Sequence, residues 1–141
     1  MKTTAWLITA ILLLSSFGCQ KPASPDVEEF ISTHTKIVDE IVRVVTAEPS
    51  AQGVDKAQKY FDENRADLKA KLDKMDSVKA SDVNEDQMKK FQTQLWKDNE
   101  RLFAPVKDLA SQPNWDQAAT EKYNRLIADV RSRTPSEKDG K

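Results

Sequence analysis

Apolar residues recur at steps of three and four over most of the chain from residue 25 onward, the spacing that places them on one face of an α-helix. No segment of useful length alternates apolar and polar residues as a half-buried strand would. The chain has only three glycines, Gly18, Gly53 and Gly140, so helix interiors are almost free of them. The pattern predicts an all-α fold built from long helices.

Two helices are predicted in the first half of the folded part. The first begins at Pro25, behind Ser24 as its N-cap, and ends near Glu48. The second covers residues 54–75, and Asn64 occupies a place on its apolar face where an apolar residue is expected. The apolar positions are Val27, Phe30, His34, Ile37, Ile41 and Val44 in the first helix, and Ala57, Phe61, Leu68, Leu72 and Met75 in the second.

Two more helices are predicted after a polar loop. The third begins at a capping box of Asp82 and Glu85, and Pro105 is expected to kink or break it because proline lacks a backbone donor. The fourth follows Asn114, its expected N-cap, with Gln117 three residues later. The apolar positions are Met88, Phe91, Leu95, Leu102, Val106 and Leu109 in the third helix, and Trp115, Ala119, Tyr123, Leu126 and Val130 in the fourth.

Short polar connections make consecutive helices antiparallel, so the expected architecture is an up-down-up-down four-helix bundle. The alternative is a three-helix bundle with a loosely packed fourth helix. Charge adds little to this picture, because 22 basic and 23 acidic residues are interleaved along the helices. No cationic stripe forms that would neutralise a phosphate backbone, and we therefore expect no nucleic-acid partner.

The first eighteen residues have the layout of a secretory signal peptide. Lys2 supplies a positive start, residues 5–14 are apolar and uncharged, and residues 15–18 are mostly small. An apolar run of this length is too short to span a bilayer core of about 30 Å as a helix. We expect an export signal here.

This leader runs directly into Cys19, the only cysteine of the chain. The stretch "SFGC" resembles the lipobox of bacterial lipoproteins, whose cysteine is diacylglycerated, cut free and acylated on its new amino group. Gly18 matches the motif, whereas Ser16 and Phe17 depart from the usual leucine and small residue. The resemblance implies a stable anchor at Cys19, since two or more acyl chains hold a protein on a membrane. The other interpretation is an ordinary signal peptide that leaves Cys19 as a lone thiol.

The expected organisation follows from these segments. Residues 1–18 are the lipoprotein signal peptide, 19–25 the lipidated cysteine and tether, 26–132 the helical bundle, and 133–141 a disordered tail without apolar residues. Gln20, directly after the cysteine, implies sorting to the outer membrane in an enteric-type envelope. We therefore expect a protein that is attached to the membrane and faces the periplasm.

The residue inventory excludes most enzyme chemistry. One histidine and one cysteine leave no Ser-His-Asp or Cys-His set, no His-rich zinc motif and no haem-attachment motif, and Gly53 alone makes no phosphate-binding loop. The carboxylates fall mostly on predicted solvent faces, where their pKa values are not tuned for acid-base catalysis. We expect no catalytic residues, no metal, no cofactor and no enzyme activity.

His34 is the one chemically distinctive residue of the predicted core. It is either a haem or metal ligand inside the bundle or a core histidine that hydrogen-bonds to a neighbouring helix. Counting equal distances back and forward from the turn between the first two helices places Asn64 or Arg65 near the level of His34. We predict a structural His34–Asn64 contact that fixes helix register, as a single buried polar residue does in coiled coils.

The region from Gln52 to Val130 resembles four-helix bundles of the cytochrome b562 type. In that layout "KLDKM" ends a helix, a polar loop follows, and "QMKKF" opens the next helix. The resemblance implies a helical bundle and, as the alternative function, a bundle that binds a ligand or cofactor. That family holds haem with a methionine on its first helix and a histidine on its last, and neither position is matched here.

Trp96 and Phe103 form a second stripe on the third helix, one position beyond Leu95 and Leu102. Such a stripe either widens the core face or, where exposed, forms a patch for a protein partner. The sequence therefore predicts a lipid-anchored envelope protein that serves as a structural or protein-interaction module for an envelope protein that the sequence does not identify.

Overall fold

The structure of the protein is a computed structural model that describes residues 23–79 and 83–132. Within these two ranges the chain forms helices and short connections, without strands, as the apolar periodicity predicts. The predictions for the signal peptide, for Cys19 and for the tail 133–141 lie outside the described residues, as does Asp82 itself.

The described residues form four long helices and one short one. They are α1 (Pro25–Ala47), α2 (Ala51–Asp76), α3 (Glu85–Phe103), α4 (Val106–Leu109) and α5 (Gln117–Arg131). The four long helices confirm the predicted number. Pro105 separates α3 from the single turn of α4, in agreement with the expected break.

The starts of three helices differ from their predicted places. The third begins at Glu85 behind Asn84, whose Oδ1 accepts from the Asp86 amide at 2.8 Å, so the predicted capping box of Asp82 and Glu85 is wrong.

The second helix begins at Ala51, earlier than expected, because the Ser50 side chain caps it by accepting from the Gly53 amide at 3.2 Å. The predicted cap of the last helix, Asn114, is wrong. Asp116 caps α5 instead, and its Oδ1 accepts from the Ala119 amide at 2.8 Å.

Helix α1 packs against both α2 and α3, and α2 packs against α5. The Lys71 side chain of α2 donates to Thr33 of α1 at 2.9 Å, while Lys56 pairs with Glu48 at the opposite end, so α1 and α2 run in opposite directions. Gln87 of α3 bonds Ser24 at the start of α1, and Asp98 bonds Thr35 farther along. Helices α1 and α3 therefore run in the same direction.

The core is a single cluster of buried apolar side chains that draws on all five helices. Helix α5 contributes as fully as the others, which excludes a loosely packed last helix. Its Tyr123 hydroxyl donates to the Leu102 carbonyl at 2.7 Å, close to the point where α3 ends, and thereby joins α5 to α3. The buried residues of α5 are Ala119, Tyr123, Leu126, Ile127 and Val130.

Candidate functional site

The predicted polar core residue, His34, lies in the interface between α1 and α3 with 1% of its surface exposed. Its Nδ1 lies 2.9 Å from Oδ2 of Asp98, whose side chain has no exposed surface. Because an ionised carboxylate only accepts hydrogen bonds, Nδ1 carries the proton and donates it. The pair joins the middle of α1 to the middle of α3.

Two further side chains complete the shell of Asp98. The Thr35 hydroxyl donates to Oδ2 at 2.8 Å, and Gln94 Nε2 donates to Oδ1 at 2.9 Å. Burial raises the pKa of Asp98, but the hydrogen bonds from His34, Thr35 and Gln94 together lower it by more, so the pKa lies below its usual value. Asp98 is thus a buried carboxylate that stays ionised because its oxygens are satisfied.

The predicted contact between His34 and Asn64 is wrong. Asn64 donates to the Tyr60 carbonyl of its own helix at 2.8 Å. The alignment of the two antiparallel helices explains the error. Thr33 of α1 contacts Lys71 of α2, and Glu48, at the end of α1, contacts Lys56. The residue of α2 at the level of His34 is therefore close to residue 70. Asn64 therefore lies nearer the other end of α2, and the histidine turns toward α3.

The surroundings of His34 are packed and not open. Its ring stacks on Phe30 with centroids 5.9 Å apart, and Phe30 in turn contacts Phe91 at 6.0 Å. The Nε2 atom is buried without a hydrogen-bond partner among the described residues. Within 23–79 and 83–132 no cluster of three potential metal-binding side chains forms. The arrangement holds two helices in register.

Trp96 and Phe103, the predicted partner patch, are exposed. Trp96 has 61% and Phe103 46% of its surface accessible, and they are the large apolar side chains that the described part of the chain leaves in solvent. They border an open groove that also includes Asn99, Glu100, Ala104 and Lys107. The guanidinium of Arg131 lies 5.8 Å from the centre of the Phe103 ring, close enough for a cation–π contact. We call Trp96, Phe103 and this groove the aromatic patch.

A second groove of about 520 Å³ lies between α1 and α3. Ile31 contributes to its apolar lining, and Lys89, Lys90 and Lys97 stand along its α3 side. Gln87, at one end, is 5% exposed and forms two hydrogen bonds of 2.7 Å with the backbone nitrogen and oxygen of Ser24. We call this feature the lysine groove, and nothing in the apolar periodicity indicated it.

Cys19, the predicted lipid-attachment residue, lies outside the described residues. In the described part of the chain no helix has both the length and the apolar character that crossing a membrane requires. Comparison with protein-family models, with curated proteins and with solved structures finds no match to this chain.

Proposed function

We propose that this chain is a bacterial envelope lipoprotein, anchored through Cys19 and facing the periplasm from the outer membrane, whose helical domain binds an envelope protein through the aromatic patch. The leader supports the anchor: an apolar run with one preceding lysine ends in "SFGC", and Gln20 follows. The proposal assigns the domain a binding role and no catalysis.

The exposure of Trp96 and Phe103 is the observation that carries the binding role. They lie seven residues apart on α3, two helical turns, and so occupy one side of the helix about 10 Å apart. Tryptophan, phenylalanine and arginine are enriched at protein interfaces, and an arginine already lies over one of these rings. Leaving two large aromatic side chains in water is unfavourable unless a partner covers them.

The proposed frame for this patch is the up-down-up-down bundle. The opposite directions of α1 and α2 and the shared direction of α1 and α3 support it, since both are required by that topology. In this frame the patch lies toward the α4 end of α3, and the start of α1, where the tether joins, lies at the other end.

The test is crosslinking in cells that produce the full chain, with Trp96→Ala/Phe103→Ala compared against the unchanged chain. Lys59→Ala/Glu63→Ala is the matched control, because it removes two exposed side chains from α2 and leaves the patch intact. We expect one set of crosslinked envelope proteins to be present with the unchanged and control chains and lost with the patch variant. Identical sets from all three chains would contradict the proposed binding surface.

Mass spectrometry of the processed product tests the anchor separately. We expect Cys19 as the first residue, carrying two or three acyl chains. An unmodified thiol at Cys19 would contradict the lipoprotein assignment whatever the crosslinking shows.

A further inference from the structure

The lysines of α3 differ from most of those on α2 in having no carboxylate partner among the described residues. Lys89, Lys90 and Lys97 form no ion pair or hydrogen bond with any described residue, and all three line the lysine groove. On α2, by contrast, most lysines reach an acidic group within 4.0 Å. These paired lysines are Lys56, Lys59, Lys69 and Lys71.

The three lysines form a compact cationic group. Lys89 and Lys97 are eight residues apart on one helix, about 12 Å, and Lys90 lies between them. Glu28 of α1 is the one acidic residue that lines the same groove. Glu85 and Asp86 lie in the first turn of α3, one helical turn before Lys89 and Lys90, but they do not line the groove. The charged side chains that line it are three lysines and one carboxylate, so the lining that the structure describes is net positive.

The lysine groove also lies next to the point where the tether enters the domain. Gln87 lines one end of it and fixes Ser24 by two hydrogen bonds of 2.7 Å, so the root of the tether is held against α3. Ser24 follows Cys19 by five residue steps, and five extended steps span at most about 18 Å. An acylated Cys19 would therefore keep this end of the domain within about 18 Å of the bilayer.

We infer that the lysine groove rests on the bilayer surface, with Lys89, Lys90 and Lys97 contacting the phosphate groups of anionic lipids. The inference depends on the proposed lipid anchor and adds which face of the domain meets the membrane. Each lysine near an anionic surface contributes roughly fivefold to partitioning. This attraction falls off over a Debye length of about 10 Å at 0.1 M salt. A tether of at most about 18 Å allows the groove to approach within that distance of the bilayer.

The test uses the processed product of the full chain in vesicles of phosphatidylcholine, with or without phosphatidylglycerol. A water-soluble amine reagent modifies exposed lysines, and mass spectrometry gives the rate at each one. We expect Lys89, Lys90 and Lys97 to react several-fold more slowly in the anionic vesicles than in the neutral ones. The exposed α2 lysines, Lys59 and Lys69, serve as internal controls and are expected to react equally in both.

Two further measurements sharpen this test. Raising the salt to 1 M shortens the Debye length to about 3 Å and should abolish the protection. Crosslinking to a photoreactive phosphatidylglycerol should be lost in K89Q/K90Q/K97Q and retained in the matched α2 variant K56Q/K59Q/K69Q.

Equal modification rates of Lys89, Lys90 and Lys97 in neutral and anionic vesicles would overturn the inference. Protection that occurs in intact cells but not in anionic vesicles would assign the groove to a protein partner and would also overturn it. The acylation of Cys19 is measured in the same sample, so failure of the proposed anchor is seen independently. If Cys19 carries no acyl chains, the inference fails together with the anchor on which it depends, whereas equal lysine rates with an acylated Cys19 overturn the inference alone.

Discussion

His34 Nδ1 and Asp98 Oδ2 lie 2.9 Å apart where neither side chain reaches solvent, and this pair joins the middle of α1 to the middle of α3. The Asp98 carboxylate is also the acceptor for Thr35 and Gln94. Three donors from two helices therefore depend on one buried side chain, and the energetic consequences can be measured.

Asp98→Ala should destabilise the fold by about 3 to 5 kcal/mol, because it leaves buried donors without their acceptor. Urea denaturation followed by circular dichroism measures the change. Asp39→Ala is the control: Asp39 pairs with Arg101 across the same two helices, but both side chains are 47% exposed, and a loss below about 1 kcal/mol is expected. Similar losses for the two variants would show that burial of the His34–Asp98 pair is not what matters.

Stability should fall in acid because of the same residue. The folded-state pKa of Asp98 is lowered, so its contribution is fully present above the unfolded-state pKa of about 3.9 and is lost as pH falls through the folded-state value. The free energy of unfolding is measured from pH 7 to pH 2 for the unchanged chain and for Asp98→Asn. We expect the variant to be less stable at pH 7 and to lose less stability on acidification. Parallel curves for the two chains would contradict this assignment.

The helices were predictable from the sequence because their apolar faces are long and regular, whereas the polar core was only half predictable. Asn64 and Asp98 each interrupt an apolar face, and the sequence offers the same signal for both. Only the interruption at Asn64 was interpreted as the partner of His34. Asp98 lies between Leu95 and Leu102 on the apolar face of α3. A polar residue at that position indicates a buried partner for His34 as well as Asn64 does.

Register could not be predicted, because it depends on where α2 starts relative to the end of α1. The Ser50 cap starts α2 at Ala51, and the pairing of Glu48 with Lys56 shows that the first turn of α2 lies beyond the end of α1. This displacement moves the level of His34 from Asn64 to about residue 70.

The exposure of Trp96 could not be predicted either, since a residue beside an apolar helix face borders either the core or solvent.

Gly53→Ala should destabilise the protein even though alanine favours helices by about 1 kcal/mol over glycine. A Cβ at Gly53 would clash with the Glu48 carbonyl oxygen, which also accepts from the Ser50 amide at 2.8 Å. The connection between α1 and α2 would therefore have to shift. Thermal unfolding measures the effect, and Gln52→Ala, at the exposed neighbouring position, should leave the midpoint nearly unchanged. An increase in stability for Gly53→Ala would disprove the close approach.

Tyr123→Phe should cost about 1 kcal/mol, since it removes a buried hydrogen bond to the Leu102 carbonyl. Burial also raises the pKa of Tyr123 to about 12. The unfolded chain ionises first, near pH 10, so stability should decline as pH rises above that value in the unchanged chain. Urea titrations at pH 7 and pH 11 should show a smaller decline for Tyr123→Phe. Tyr60→Phe, at a half-buried position, is the control and should preserve both the stability at pH 7 and the alkaline decline.

Trp96→Ala/Phe103→Ala should leave the fold almost as stable as the unchanged chain, which is the condition for using it to test partner binding. Trp96 is 61% and Phe103 46% exposed. The free energy of unfolding is therefore expected to change by no more than about 1 kcal/mol, including the loss of the Arg131 contact with Phe103. Phe91→Ala, on the buried side of the same helix, should instead cost about 3 to 5 kcal/mol. Urea denaturation of the two variants measures this contrast. A loss of several kcal/mol in the patch variant would mean that these rings support the core, and the aromatic patch would then no longer stand as a surface kept free for a partner.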